Sequence, residues 1–386
     1  MNRKNIKYID KFSSRLTKEE LIRYSRHLSL SEIGIEGQMK IKTSKVLIVG
    51  LGGLGSPISL YLAAAGVGTI GLVDFDVVDI SNLQRQVLFG IGQKDKSKLE
   101  SAIETLKQLN PNTKYNLHEV ILSSKNVVDI FKDYDIIVDG TDNFPTRYLI
   151  NDACVLLGKP NVYGSIYRFE GQVSIFNYNG GPCYRCLYPK PPPNGLVPSC
   201  SQEGVLGVLP GIIGTLQANE VLKIILKIGN LMVNRFLLFD ALSMEFDELK
   251  ITKNENCIIC GSNPSIKELI DYKKNYCQKE NYDEITVHEL SNRLNNNQTL
   301  TVLDVRENHE VKIARIKGAI HIPMRELLNR ITELNANEEI VVYCKSGQRS
   351  GQICKTLIKN NFINVKNLKG GIIAWSERID FSMPEM

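Results

Sequence analysis

The order of apolar and polar positions predicts alternating strands and helices from residue 45 onward. Residues 45–50 form an apolar run that ends in glycines, residues 57–65 have helical periodicity, and residues 69–74 are again apolar. Near-continuous apolar strands joined by a helix are typical of a parallel sheet buried on both faces. These positions therefore predict one strand–helix–strand unit.

The same patterns continue along the chain. They predict further strands at residues 115–120, 135–139, 161–166, 172–177 and 236–239 and helices at 96–109 and 211–228. Residues 187–200 contain five prolines, which exclude a helix or a central strand and predict a surface loop. Residues 262–282 are polar and weakly periodic, so we expect a linker there.

A second series of strands and helices begins after this linker. Its predicted strands lie at residues 300–305, 319–322, 339–344 and 365–368. Alternating strands and helices favour an α/β fold. We therefore expect one α/β domain at residues 12–261 and a smaller α/β domain at residues 283–386.

Composition narrows the class of protein. The chain has 386 residues, of which 43% are hydrophobic and 23% charged, enough for two globular domains. No run of 18 apolar residues and no signal-peptide pattern occurs, so we expect a soluble chain without a membrane partner, in the cytoplasm or plastid stroma. The net charge of +5 is spread along the chain, which does not predict a nucleic-acid partner.

The first chemical motif is a glycine-rich turn after the first strand. Gly50, Gly52, Gly53 and Gly55 separate that strand from the helix. Glycines let the backbone approach a phosphate, and the helix N-terminus supplies free N–H donors. Asp74 ends the second strand, where a carboxylate can bind ribose hydroxyls. Both features fit an NAD-dependent dehydrogenase as well as an ATP-binding enzyme.

Three further groups favour ATP. They are Lys98, the run Ser81-Asn82-Leu83-Gln84-Arg85, and the strand end Asp139-Gly140-Thr141-Asp142-Asn143. This set, in this order and spacing, resembles the ThiF/MoeB family of ubiquitin-activating-like adenylyltransferases. The resemblance implies a Rossmann-like domain with a mostly parallel sheet. A dehydrogenase would leave the Ser81 to Arg85 run unexplained.

The resemblance also implies roles for these residues. It implies that Asn82, Arg85 and Lys98 contact the ATP phosphates and that Asp142 binds Mg²⁺, beside Asn143 in the nucleotide site. Cationic side chains and a metal would stabilise the charge that builds when a carboxylate attacks the α-phosphate. It further implies a homodimer, in which Arg26 reaches into the active site of the partner.

Two Cys-x-x-Cys pairs lie about 70 residues apart, Cys183 with Cys186 and Cys257 with Cys260. Four thiolates suit tetrahedral Zn²⁺, and each two-residue gap lets both sulfurs face one ion. Since no coordination position would stay open, the pairs predict a structural zinc site rather than a catalytic one.

The other cysteines differ in their surroundings. Cys154 and Cys354 lie in apolar helical stretches, which predicts core positions, and Cys277 lies in the polar linker. Cys200 follows the proline-rich loop. It aligns with the cysteine that, in the family, bonds covalently to the C-terminus of the small protein substrate. The resemblance thus implies a catalytic role for Cys200, with a bystander as the alternative.

The second domain has its own candidate nucleophile. Cys344 follows an apolar strand and precedes a helical stretch, so backbone N–H groups would stabilise an anionic sulfur. The run from Cys344 to Arg349 resembles the loop of rhodanese domains, as do residues 303–307, 318–323 and 370–375. Arg315 stands where those domains usually have His. The resemblance implies that Cys344 forms a persulfide.

A protein phosphatase is the rival interpretation of this loop. Phosphatase loops place five residues between cysteine and arginine, whereas four separate Cys344 from Arg349. The smaller loop favours a persulfide sulfur over a phosphate.

Together the two resemblances predict an adenylyltransferase joined to a sulfurtransferase. The implied substrate is a small ubiquitin-like sulfur carrier ending in Gly-Gly, of the molybdopterin-synthase small-subunit type. A thiamine-pathway or tRNA-thiolation carrier is the alternative. The implied sulfur source is a persulfide donor such as a cysteine desulfurase. An inactive scaffold is disfavoured because every polar position of the site is filled.

Overall fold

The computed structural model of the chain describes residues 16–192, 204–270, 272 and 282–384. These residues divide into two compact units. The larger unit holds the described residues up to Tyr272, and the smaller one holds residues 282–384.

The larger unit is built on one eight-stranded sheet, in the order β3-β2-β1-β4-β5-β6-β7-β8. Its strands are β1 Lys45–Val49, β2 Thr69–Asp74, β3 Lys114–Glu119, β4 Ile136–Asp139, β5 Asn161–Tyr167, β6 Glu170–Phe176, β7 Arg235–Asp240 and β8 Glu245–Lys250. Strands β3, β2, β1, β4 and β5 pair in parallel, and β5 to β8 pair antiparallel. The sheet is therefore parallel on the side of the glycine-rich turn.

Helices cover the sheet of the larger unit. They are α1 Lys18–Arg23, α2 Ser25–Leu28, α3 Gly34–Thr43, α4 Gly55–Ala65, α5 Lys98–Leu109, α6 Val127–Phe131, α7 Phe144–Leu157, α8 Tyr184–Leu187 and α9 Leu209–Leu226. The central strand β1 is buried on both faces, with Val46, Leu47 and Ile48 inaccessible to solvent. Two-sided burial explains why this strand is apolar without alternation.

Within the described ranges, α9 alone is long and apolar enough to cross a membrane by length and composition. Its apolar window is 56% buried inside the structure. The helix packs against α4, β5 and β6, as the core helix of a globular unit does.

The smaller unit has a five-stranded parallel sheet in the order β11-β10-β12-β13-β9. Its elements are β9 Asp283–Ile285, α10 Val287–Asn295, β10 Thr301–Asp304, α11 Asn308–Val311, β11 Ile320–His321, α12 Leu327–Arg330, β12 Glu339–Tyr343, α13 Gln348–Lys359, β13 Asn364–Leu368 and α14 Gly371–Arg378. Apolar clusters on both faces of this sheet form a core separate from that of the larger unit.

The predicted α/β class with a Rossmann-like sheet is confirmed. Each strand and helix predicted from the sequence is present, with ends within two residues. The patterns gave no bounds for the helices before β1, for α6, α7 and α8, or for the strands β8 and β9, although the stretch around Cys154 was expected to be helical. Strand β8 is exposed along its whole length, so its sequence has no buried stripe to detect.

Candidate functional site

The glycine-rich loop runs from β1 into α4, and close backbone contacts set its shape. Gly50 has a φ of +89°, and a Cβ on it would lie 3.0 Å from the carbonyl oxygen of Gly140. A Cβ on Gly55 would lie 2.0 Å from the carbonyl oxygen of Gly50. A Cβ on Gly52 would meet only Nε2 of Gln86, at 3.8 Å. Close packing therefore requires glycine at positions 50 and 55. At position 52 no chain atom crowds the loop, so a ligand can approach the backbone there.

The same loop offers hydrogen-bond donors. Within the described ranges, the backbone amides of Gly52 and Gly53 donate to no atom of the chain. They lie just ahead of the eleven-residue helix α4, whose N-terminus is the positive end of its dipole. Open space, free N–H groups and a helix N-terminus together suit the phosphates of a nucleotide.

Asp74 ties this loop to the end of β2. One carboxylate oxygen accepts from the amide of Leu51 at 2.7 Å, and the other accepts from the amides of Phe75 and Asp76 at 2.8 and 2.9 Å. A carboxylate oxygen can accept more than one hydrogen bond. Asp74 can thus hold the loop and still receive a ribose hydroxyl.

Two cationic side chains lie near the glycine loop. Arg85 donates to Oδ1 of Asn82 at 2.7 Å, and its Cγ lies 3.6 Å from the position a Cβ on Gly53 would take. Lys98 begins α5, is nearly buried, and places Nζ 3.0 Å from Oδ2 of Asp76. Arg85 is therefore brought against the glycine loop, while Lys98 is paired with the half-exposed Asp76.

The other members of the Ser81 to Arg85 run form a turn. The amide of Ser81 donates to Oδ1 of Asp79 at 2.7 Å, which fixes its start. Leu83 follows this turn, and the side chain of Gln84 lies against Gly207, where a Cβ would come within 2.4 Å of Oε1. These residues shape the segment that presents Arg85.

The loop after β4 lies beside the glycine loop, since Gly140 touches Gly50. Asp142 is exposed in this loop, as a residue that binds a ligand-borne Mg²⁺ must be. The side chain of Asn143 caps α7 by accepting from the amide of Thr146 at 3.0 Å. Its carbonyl oxygen is thus committed to the helix, and only its NH₂ group remains for a nucleotide.

Asp139, which the sequence motif includes, and Arg147, which it does not, hold this loop in place. Oδ1 of the fully buried Asp139 accepts from the amide and hydroxyl of Thr141 at 2.9 and 2.6 Å. Arg147 donates to the carbonyl oxygen of Thr141 at 3.0 Å, and its Nε lies 3.8 Å from Oδ2 of Asp139. Burial raises the pKa of Asp139, and the charge of Arg147 opposes that rise. The position of Arg147 among the apolar residues of α7 was the sequence signal that could have identified it.

The four cysteines of the two pairs converge on one point. Their sulfurs all lie within 4.8 Å of one another, with 3.6 Å between Cys183 and Cys257 and 3.4 Å between Cys186 and Cys260. A tetrahedral ZnS₄ centre with Zn–S bonds of about 2.3 Å has sulfurs about 3.8 Å apart. The distances and the all-thiol donor set therefore fit Zn²⁺. The amide of Asn254 donates to the Cys186 sulfur at 3.3 Å, as amides around metal-bound thiolates do.

A buried ion pair supports this cysteine cluster. Arg185, between two of the cysteines, donates to both carboxylate oxygens of Asp152 on α7, at 2.8 and 2.9 Å. The hydroxyl of Tyr272 joins both side chains, and it lies 2.5 Å from Nη2 of Arg185. The cluster is thus anchored to α7 and to Tyr272.

Cys344 lies at the end of β12 in the smaller unit and is almost fully buried. Its sulfur accepts from the amide of Gly347 at 3.2 Å and lies 3.4 Å from the hydroxyl of Ser350. Gly347 has a φ of +94°, which turns the loop back toward the sulfur. These donors suit a sulfur that carries negative charge.

The arginine of this loop is occupied. Both terminal nitrogens of Arg349 bond the carboxylate of Glu310, each at 2.6 Å. The pKa of Glu310 is lowered because Arg349 bonds it, although burial acts in the other direction. The ion pair fixes the orientation of the guanidinium and uses two of its five N–H donors. Arg315 donates to the carbonyl oxygen of Ala319 and so contributes to local packing.

Two further residues, Arg26 and Cys200, are predicted to be catalytic. Arg26 lies exposed on the short helix α2. Cys200 lies outside the described residues, as does Cys277. Cys154 and Cys354 are fully buried, as expected of core positions.

Comparisons with known proteins agree with this architecture. The model of the ThiF family matches residues 24–259, and that of the rhodanese-like domain matches residues 286–378. The adenylyltransferase/sulfurtransferase MoeZ of Mycobacterium tuberculosis is 45% identical, and the alignment covers 96% of each chain. The adenylyltransferase and sulfurtransferase MOCS3 of Sus scrofa is 40% identical over 96% of this chain and 88% of its own.

Solved structures show a similar fold. The structure of MccB from E. coli with MccA-N7isoASN has a TM-score of 0.56 and 23% identity, covering 68% of this chain and 83% of its own. At this identity the likeness concerns the fold alone.

Proposed function

Since this chain belongs to the ThiF family and has a rhodanese-like domain, we propose that it adenylates the C-terminal glycine of a small ubiquitin-like sulfur carrier and converts it to a thiocarboxylate. The chain is an enzyme of the adenylyltransferase and sulfurtransferase class. The carrier we propose is of the molybdopterin-synthase small-subunit type. A thiamine-pathway or tRNA-thiolation carrier would use the same chemistry.

In the adenylation step, the carrier carboxylate attacks the α-phosphate of ATP and pyrophosphate leaves. We assign the phosphates to the amides of the glycine loop, the ribose to Asp74, and the developing charge to Arg85 and Lys98. Asn82 and Asn143 would contribute amide donors. A Mg²⁺ ion at Asp142 would neutralise phosphate charge when bound.

The contact between Gly50 and Gly140 is the observation that carries this proposal. It joins the loop with free amides to the loop with Asp142, at the edge of the sheet where the parallel strands end. Ligands of open α/β sheets bind at this edge. An acidic residue beside a phosphate-binding loop supports metal-assisted nucleotide chemistry.

We assign the sulfur step to Cys344, which would take sulfur from a persulfide donor such as a cysteine desulfurase. The hydrogen-bond donors around its sulfur support this assignment. The terminal sulfur of a Cys344 persulfide would attack the carrier acyl group, either directly in the acyl-adenylate or in an acyl intermediate on Cys200, and AMP or the Cys200 thiolate would leave. A second thiol would then attack the Cys344 sulfur of the resulting acyl disulfide and release the carrier thiocarboxylate. An external thiol would reduce the disulfide left on Cys344. Arg26 would complete the site of the partner in a homodimer.

Zn²⁺ would be held by Cys183, Cys186, Cys257 and Cys260. When bound it would cross-link two chain segments and supply no open position for chemistry. The predicted linker, residues 262–282, would then separate the adenylating domain from the sulfur-carrying one.

The proposal is tested by separating the two steps. Carrier-dependent ATP–pyrophosphate exchange should fall at least about 100-fold in Asp142→Ala, because the residue proposed to bind the metal is lost. Exchange should be unchanged in Cys344→Ala, whereas carrier thiocarboxylate, followed by mass spectrometry, should disappear.

Asp129→Ala is the matched control. Asp129 is an exposed acid whose partner among the described residues is Lys132, so its loss should leave both steps intact. Loss of exchange in Cys344→Ala, or full exchange in Asp142→Ala, would contradict the proposed division of roles.

A further inference from the structure

The hydroxyl of Ser350 lies between two acceptors in the wall of the Cys344 site. Ser350 belongs to the first turn of α13, and Asn367 lies on the neighbouring strand β13. The hydroxyl oxygen is 3.4 Å from the Cys344 sulfur and 2.6 Å from Oδ1 of Asn367. All three side chains are buried, at 1%, 0% and 3% exposure for Cys344, Ser350 and Asn367. Bulk water therefore cannot replace either hydrogen bond.

A serine hydroxyl has one proton and can serve only one of these acceptors at a time. Oδ1 of Asn367 only accepts, so while it holds the Ser350 proton, the Ser350 oxygen can receive the S–H of a Cys344 thiol. A Cys344 thiolate has no proton to donate and accepts instead. Rotation of the Ser350 hydroxyl then turns its proton from Asn367 to the sulfur. The Asn367 amide must then move its Oδ1 away from the Ser350 oxygen, because two acceptors cannot stay 2.6 Å apart without a proton between them.

We propose that Ser350 is a further catalytic residue, which stabilises the Cys344 thiolate by donating a hydrogen bond to it. Asn367 is a positioning residue that competes for the same proton. The amide of Gly347 is fixed by the backbone and donates in both states. The side-chain pair can thus change the number of hydrogen bonds to the sulfur, whereas the loop backbone cannot.

This inference rests on the proposed role of Cys344 as the persulfide carrier. In the loading step, the Cys344 thiolate attacks the outer sulfur of a donor persulfide. A new bond forms between Sγ and that sulfur, the donor S–S bond breaks, and its electron pair leaves on the donor thiolate. The transferred sulfur keeps its proton or charge. Since the thiolate is the nucleophile, a hydrogen bond from Ser350 stabilises the form of Cys344 that reacts.

The test measures alkylation of Cys344 by iodoacetamide in the full-length protein at pH 7, with the Cys344 peptide followed by mass spectrometry. In Ser350→Ala the second-order rate constant should fall about fivefold, since a hydrogen bond to a charged sulfur is lost. In Asn367→Leu it should rise about threefold, because the Ser350 proton is no longer shared. Leucine has nearly the volume of asparagine and offers no acceptor.

The double variant Ser350→Ala/Asn367→Leu decides whether the two residues act together. Because Asn367 acts through the Ser350 hydroxyl, its substitution should change nothing in the Ser350→Ala background. Thr356→Ala is the matched control, since it removes a hydroxyl from the same helix. Within the described part of the chain, that hydroxyl donates to the carbonyl oxygen of Gln352 alone, at 3.1 Å. Its alkylation rate should equal that of the unaltered protein.

Equal alkylation in Ser350→Ala and the unaltered protein would overturn the inference, as would a fall in Asn367→Leu. A second measurement, persulfide loading from glutathione persulfide, tests the proposed function separately. If the variants change the alkylation rate as expected but Cys344 takes up no sulfur, the proposed role of Cys344 is refuted and the hydrogen-bond assignment still holds. Slower loading in Ser350→Ala, in step with slower alkylation, is the expected result.

Discussion

At the scale of single residues, different glycines of the loop are needed for packing and for ligand contact. Gly55→Ala should destabilise the larger unit by about 3 kcal/mol, because its Cβ would collide with the Gly50 carbonyl at 2.0 Å. Gly52→Ala should change stability by less than about 0.5 kcal/mol, because its Cβ meets open space. It should instead raise the KM for ATP in the exchange reaction.

Thermal unfolding and ATP titration of both variants measure these two effects. A Gly52→Ala protein as unstable as Gly55→Ala would show that the loop has no open side. Full ATP affinity in a folded Gly52→Ala protein would show that phosphates do not approach this glycine.

The sequence predicts the residues of the candidate sites only where they belong to a recognisable motif. The glycines and Asp142 stand in a recognisable order, and the structure brings their two loops together. Asp139 belongs to the quoted strand end and Arg147 to no motif. The role of both depends on the fold around Thr141, which the sequence does not show. The occupation of Arg349 by Glu310 was equally hidden, since the two lie 39 positions apart.

At the scale of elements, α7, α8 and Tyr272 share one buried ion pair. Asp152→Asn should destabilise the larger unit by about 3 kcal/mol, because it leaves Arg185 buried beside a neutral partner. Chemical denaturation followed by far-UV circular dichroism measures the change. Asp129→Asn, which breaks an exposed pair with Lys132, should cost at most about 0.5 kcal/mol. Equal losses in the two variants would show that burial of the pair adds nothing.

Elements could be predicted where burial imposes a pattern on the sequence. The strands β1, β2 and β4 are covered on both faces, so their apolar runs mark them. Strand β8 is exposed throughout and depends on its pairing with β7, where Phe239 and Phe246 stack at 4.5 Å. Such a strand forms because it pairs with its neighbour in a hairpin, and the pattern of its own residues does not predict that pairing.

At the scale of the whole molecule, each unit has a core of its own. Separate cores predict two thermal transitions in calorimetry, because multidomain chains do not unfold in a single step. The four-cysteine cluster belongs to the larger unit alone. A metal there should therefore contribute to the stability of one transition only.

Chelation provides the measurement, because metal binding to a folded site adds to the free energy of unfolding. The purified protein should contain one zinc per chain by elemental analysis, and a high-affinity chelator should lower the transition of the larger unit. The transition of the smaller unit should stay in place, and Cys183→Ser should reproduce the effect of the chelator. Cys354→Ser, which alters a buried cysteine of the smaller unit, is the matched control. It should shift only the transition of the smaller unit. If chelation lowered both transitions together, the metal would stabilise more than the segments it binds.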